Sequence, residues 1–198
     1  MLRSTAAVLV LMSLLAGCTE GPKSSPLSLT VIVNEDGDPA RAWVADAGAP
    51  ARPGWSDDWN QWVAAAKATP LSALTIVLAV QGQAVVVERV RVKLIARRPA
   101  IAGTQYVVVG GDPVTHERIE VDLDKSLETL QVRAADGDTI AVTVQTQQCD
   151  CDFAIELDWQ GGTRTVDNNG KPFRVSASTA TVGRCVTYPD RVEKCETF

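Results

Sequence analysis

From Leu71 onward, apolar residues recur at every second position over most of the chain, and this period of two limits the fold more than any other feature. Val90, Val92 and Leu94 alternate with Arg89, Arg91 and Lys93. Ile119, Val121 and Leu123 alternate with Glu120, Asp122 and Asp124, and Ile140, Val142 and Val144 with Ala141, Thr143 and Gln145. A strand turns successive side chains to opposite faces, so each run predicts a half-buried antiparallel strand with one wet side. The clearest is Cys151–Trp159, whose odd-numbered residues suit a core while Asp152, Glu156 and Asp158 face water. Leu74–Val80 is apolar nearly throughout, as a strand central in its sheet must be.

Turn signals separate these runs: Gly82, Arg98-Pro99, Gly110-Gly111-Asp112-Pro113, Asp136-Gly137, Gly161-Gly162 and Asn168-Asn169-Gly170. Short strands at such spacing, with no helices between them, point to a sandwich or barrel rather than a parallel sheet. Upstream, Leu27–Val33 reads as a first strand closed by the turn cluster Asn34–Pro39, and Ala40–Pro53 has no period and reads as irregular. Trp55, Trp59, Trp62, Val63 and Ala66 then fall on one helical face, with Ser56 or Asp57 placed to cap it and Pro70 beyond its end. The expected fold is all-β: an antiparallel immunoglobulin-like β-sandwich with one short N-terminal helix, spanning residues 27–198.

The first residues have a different character. Arg3 precedes the apolar stretch Ala6–Leu15, which is too short for a membrane span of about 20 residues and has the form of an export signal. Leu15-Ala16-Gly17-Cys18 resembles the lipobox of bacterial lipoproteins. That resemblance implies removal of residues 1–17 and acylation of Cys18, whose chains would anchor the protein stably to the membrane. Thr19–Pro26 is polar and rich in Ser and Pro, so residues 18–26 read as a lipidated cysteine and flexible tether.

The chain carries 24 acidic against 19 basic residues, a formal net charge of −5, and loss of Arg3 with the leader takes the mature charge to −6. Such a balance opposes nucleic-acid binding, which depends on Lys and Arg neutralising phosphates. It also provides no polybasic patch for membrane attachment, leaving the covalent anchor to supply it.

Between Leu74 and Phe173 the sequence resembles a β-domain recurrent in uncharacterised actinobacterial membrane proteins and at the C-termini of some of their regulators. The resemblance rests on Leu74-Thr75-Ile76-Val77-Leu78, Arg97-Arg98-Pro99, Gly110-Gly111, Val121-Asp122-Leu123-Asp124, Glu156-Leu157-Asp158-Trp159 and Val166-Asp167-Asn168-Asn169-Gly170-Lys171-Pro172-Phe173. These are turns and core alternation. They imply a fold and no activity.

With Cys18 assigned to lipid, Cys149, Cys151, Cys185 and Cys195 remain, an even number in an exported domain, which predicts two disulfides. Tyr188-Pro189-Asp190 supplies a turn between Cys185 and Cys195 and favours that bridge, which would leave Cys149 to pair with Cys151. Cα atoms two apart in an extended strand lie near the roughly 7 Å limit for bridging, so the two crossed pairings stay open. The competing reading of Cys149-Asp150-Cys151-Asp152 is a thiolate and carboxylate site for Zn²⁺ or Cu(I), although a lone C-x-C lacks the paired C-x₂-C of zinc signatures.

Other chemistry has little support in the residues. His116, the one histidine, follows the loop Gly110–Thr115, and no serine lies in a G-x-S-x-G elbow. Asp57-Asp58 and Asp150/Asp152 are paired carboxylates of the kind glycosidases use, with nothing to fix their separation. Asn34, Asp36 and Asp38 have calcium-loop spacing, but Pro39 stands where the loop needs Gly, so turn formation explains them better. Of the tryptophans, Trp59 and Trp62 share the helix face and Trp159 continues the core side of its strand, leaving Trp43 and Trp55 as candidate contact aromatics. The expectation is a non-catalytic, extracytoplasmic lipoprotein, held to the membrane by its anchor, needing no cofactor or metal and contacting an envelope protein or cell-wall glycan. A hydrolase of envelope polymers and a small-ligand or metal-capture protein are the alternatives.

Overall fold

The computed structural model describes residues 27–33, 40–46, 49, 59–82, 86–109, 118–125, 129–187 and 193–197, and within them the chain is almost entirely β. A first sheet orders β1 (Ser28–Val33), β4 (Ala73–Gln81), β9 (Thr139–Gln145) and β7 (Arg118–Asp122). A second orders β11 (Gly162–Val166), β10 (Cys149–Trp159), β5 (Val86–Pro99) and β8 (Leu130–Ala135), with β12 (Phe173–Ser176) also paired to β10. A third orders β14 (Glu193–Thr197), β13 (Ser178–Thr187), β6 (Ile101–Val109), β2 (Ala40–Asp46) and β3 (Thr69–Pro70).

The first two sheets form the sandwich-like part, and the alternation in the sequence explains it. Ile76 and Leu78 on β4 and Val142 on β9 share one buried cluster with Val90 on β5 and Phe153, Ile155 and Leu157 on β10. Phe173 of β12 packs on Phe153 with ring centroids 5.6 Å apart. Each such side chain contributes about 1.5–3 kcal/mol by leaving water. β4 lies between β1 and β9 and is buried on both faces from Leu74 to Leu78, as its continuous apolarity requires. Asn169 and Gly170 both adopt positive φ, 55° and 81°, at the turn that Asn168-Asn169-Gly170 signals.

Three expectations need correction. The pairing is mixed: β7 runs parallel to β9 and β13 parallel to β6, so the sheets are not antiparallel throughout. A third sheet stands beside the sandwich-like pair. Its strand β2 occupies Ala40–Asp46, inside the stretch expected to be irregular. Trp43, Val44 and Ala45 are consecutive and all buried, so both faces of β2 are covered and no alternation marks it.

The third sheet grows out of the second at the start of β10. β5 and β12 both pair antiparallel to β10 on opposite sides, Pro99 opposite Cys149 and Ser176 opposite Asp150, and so run in the same direction. Past Cys149 nothing separates them. The Ala177 amide donates to the Cys149 carbonyl at 2.7 Å, the Ile101 amide donates to the Ala177 carbonyl at 3.2 Å, and the chains continue as the parallel pair β6 and β13.

The helix α1 (Trp59–Ala65) covers this sheet: Trp62 and Ala66 pack with Ala45, and Trp62 meets the ring of Tyr106 edge-on at 4.7 Å. It ends in the left-handed residue Lys67 (φ 49°). Ala68 donates its amide to the Val63 carbonyl and Lys67 to that of Ala64, the paired bonds of a Schellman cap, so the helix stops before Pro70 is reached. Ser56, Asp57 and Trp55 lie outside the described residues.

Candidate functional site

The outer face of the second sheet carries the densest grouping of charge among the described residues. Alternation along β10 places Asp150, Asp152, Glu156 and Asp158 on the side away from the core. The register sets Arg98 of β5 opposite Asp150, Arg91 opposite Glu156 and Arg89 opposite Asp158, while Arg174 of β12 faces Asp152. Glu156 and Asp158 make open, partly solvated pairs: Arg91 donates to Asp158 at 2.9 Å, and Arg91 and Lys93 each lie 3.5 Å from Glu156. Such exposed pairs stabilise by about 0–1 kcal/mol each.

The end near the third sheet is built differently. Asp150 is only 2% exposed and accepts from two guanidinium groups. Arg174 donates through Nε and Nη2, both at 2.7 Å, and Arg98 through Nε at 2.7 Å. Arg98 then spends Nη1 and Nη2 on Asp152 at 2.8 and 2.7 Å. Burial pushes the Asp150 carboxyl up, but the hydrogen bonds from Arg174 and Arg98 together outweigh it and hold the group below its ordinary value. The bonds to Asp152 and Asp150 raise Arg98, and that to Asp150 raises Arg174. Every carboxylate oxygen of Asp150 and Asp152 thus has a guanidinium partner. A carboxyl held ionised in this way lacks the proton that the general acid of a carboxylate pair delivers.

Beside this cluster the strand is interrupted. Between Leu94, opposite Phe153, and Ala96, opposite Asp152, Ile95 has no partner on β10 and is 54% exposed. The bulge leaves an isoleucine exposed on β5, three residues before Arg98 in the chain, as bulges elsewhere re-aim side chains at the surface.

The sulfurs lie on the other face. Cys149 and Cys151, two apart and therefore on the same side of β10, form a buried disulfide with their Cα atoms 5.5 Å apart. Local bending at the start of β10 brings them well inside the bridging limit. Thr146 Oγ1 lies 3.1 Å from the Cys149 sulfur and donates to Asp124 at 3.0 Å, and Arg97 reaches across to Asp124 and the Leu123 carbonyl. The second disulfide joins Cys185 to Cys195. With all four sulfurs bonded in pairs, the C-x-C thiolates of the metal-capture reading are not free to ligate. Among the described residues no three His, Cys, Asp or Glu side chains converge as a metal site would need.

Trp43, offered as a contact aromatic, is corrected by its position: it is 5% exposed on β2, opposite Tyr106. Trp62 is likewise buried, and Trp159 packs against the main core. Cys18, the leader and tether, Trp55, His116, Asp57-Asp58 and the Asn34–Asp38 run lie outside the described residues. No described helix is long and apolar enough to cross a membrane. Sequence reasoning misses Arg98 and Arg174: the first stands in the turn signal Arg98-Pro99 and the second in no motif, because each finds Asp150 through strand pairing 52 and 24 residues away. No protein family, curated protein or solved structure matches the chain.

Proposed function

We propose that the chain is an extracytoplasmic lipoprotein whose β-domain, lifted from the membrane on a short tether, makes non-catalytic contacts in the cell envelope. The observation that carries this reading is the division of its five cysteines. Four are closed in pairs as Cys149–Cys151 and Cys185–Cys195, compatible with an oxidising compartment, and Cys18 stands apart at the end of the lipobox-like Leu15-Ala16-Gly17. The contact surface is the outer face of β5 and β10 around Ile95, on an immunoglobulin-like sandwich formed by the first two sheets. In support, Ile95 is an exposed apolar side chain at a bulge of β5, and the Arg98 and Arg174 side chains, 40% and 42% exposed, are fixed by their carboxylate partners. Arginine planes already held in place lose little freedom on binding.

Two experiments test the two halves. Cys18→Ser is expected to move the protein from the membrane to the soluble fraction with its disulfides intact; an unchanged membrane fraction would sink the anchor. A photo-crosslinker at position 95 on intact cells is expected to give a reproducible adduct with one envelope component, absent when the crosslinker sits at Ala73. Equal or no adducts from both positions would count against this face.

A further inference from the structure

The two disulfides occupy opposite environments. Cys149 and Cys151 are 1% and 0% exposed, on the core side of β10. A reductant reaches them only if the sandwich-like core opens. Cys185 and Cys195 stand directly opposite one another in the β13–β14 register, with Cys195 exposed at the surface.

β14 itself lies at the surface. It is the edge strand of its sheet, and Lys194, Cys195 and Glu196 are all exposed. The ladder to β13 and the covalent bridge both tie this exposed strand to its sheet, and backbone hydrogen bonds at an exposed edge open readily.

We infer that Cys185–Cys195 is a thiol-exchange site: an external dithiol opens it in the folded protein, leaves Cys149–Cys151 closed, and thereby releases β14 from β13. The reductant's thiolate attacks the exposed Cys195 sulfur, the S–S bond breaks, and Cys185 leaves as a thiolate that takes a proton from water. The second thiol of the reductant, as its thiolate, then attacks its own sulfur in the mixed disulfide. Cys195 is freed as a thiolate and is protonated in turn. Two electrons pass to the protein, and the dithiol ends as its disulfide. Loss of the bridge removes the cross-link that pins β14 along the β13 edge, so the bond acts as a redox-controlled clasp. This inference is independent of the anchor: it concerns only how the two bridges sit in the β-domain.

The test is graded reduction of the full chain with dithiothreitol under native conditions, followed by thiol alkylation, peptide mass mapping and amide hydrogen exchange. Expected are alkylation of Cys185 and Cys195 before either Cys149 or Cys151, and exchange at β14 amides accelerated by at least about tenfold while β10 stays protected. A Cys185→Ser, Cys195→Ser double variant should show the same β14 exchange without reductant. Release of all four thiols together, release of none short of unfolding, or release of the pair with β14 still protected would each overturn the inference. These wild-type outcomes decide it even if the double variant fails to fold.

Discussion

At the scale of single residues, the molecule turns on how Asp150 stays buried and charged. A carboxylate removed from water is tolerated when its oxygens are fully hydrogen-bonded, and three guanidinium N–H groups do this. Asp150→Asn keeps the shape but gives Arg98 and Arg174 a neutral partner, and should destabilise the fold by about 1–3 kcal/mol in chemical denaturation. The sign of the pH dependence follows from the direction of the shift. The folded-state value lies below the unfolded one, so the contribution is complete at neutral pH, where Asp150 is ionised in both states. It is lost as the pH falls below about 4 and through the folded value. Urea midpoints measured between neutral pH and about pH 2.5 should therefore fall less steeply for Asp150→Asn than for the wild type; parallel curves would show that the carboxylate contributes nothing. Alternation identified the outward side of β10 from the sequence but not the cluster on it. Period two says which face a residue takes, while its neighbours on that face depend on register with β5 and β12, which local pattern does not contain.

At the scale of elements, legibility follows burial. Strands with one more exposed face, such as β10 from Asp152 to Asp158, announce themselves through alternation. β2 does not, because α1 and its own sheet neighbours bury consecutive residues, and the parallel pair β6 and β13 arises only because β10 begins at Cys149 and leaves its flanking strands side by side. Two substitutions separate the layers. Phe153→Ala, in the shared core against Phe173, should cost about 3–5 kcal/mol and lower the midpoint of the main unfolding transition. Gly103→Ala acts on the third sheet. A Cβ there would lie 2.1 Å from the Ala45 carbonyl oxygen, so β2 and β6 must shift apart, at a cost of about 1–3 kcal/mol or more. Amide exchange should then rise in β2 and β6 ahead of β4 and β9; uniform change across all three sheets would argue that they unfold as one unit.

At the scale of the whole molecule, two sheets share a core, a third extends from them, and two disulfides are closed, compatible with an oxidising compartment. The fold class is legible because β-periodicity covers most of the chain; the pairing of the cysteines is not, because two residues apart in a strand sits at the edge of what geometry allows. Under the proposed function, the face around Ile95 makes the contacts and Cys18 sets the location. Intact-mass spectrometry of the protein extracted from membranes joins location and structure in one number. The account predicts a chain beginning at Cys18, heavier by a diacylglyceryl group with or without an added N-acyl chain, and unreactive to alkylation until reduced. A chain retaining residues 1–17, or one carrying no lipid and four free thiols, would contradict it.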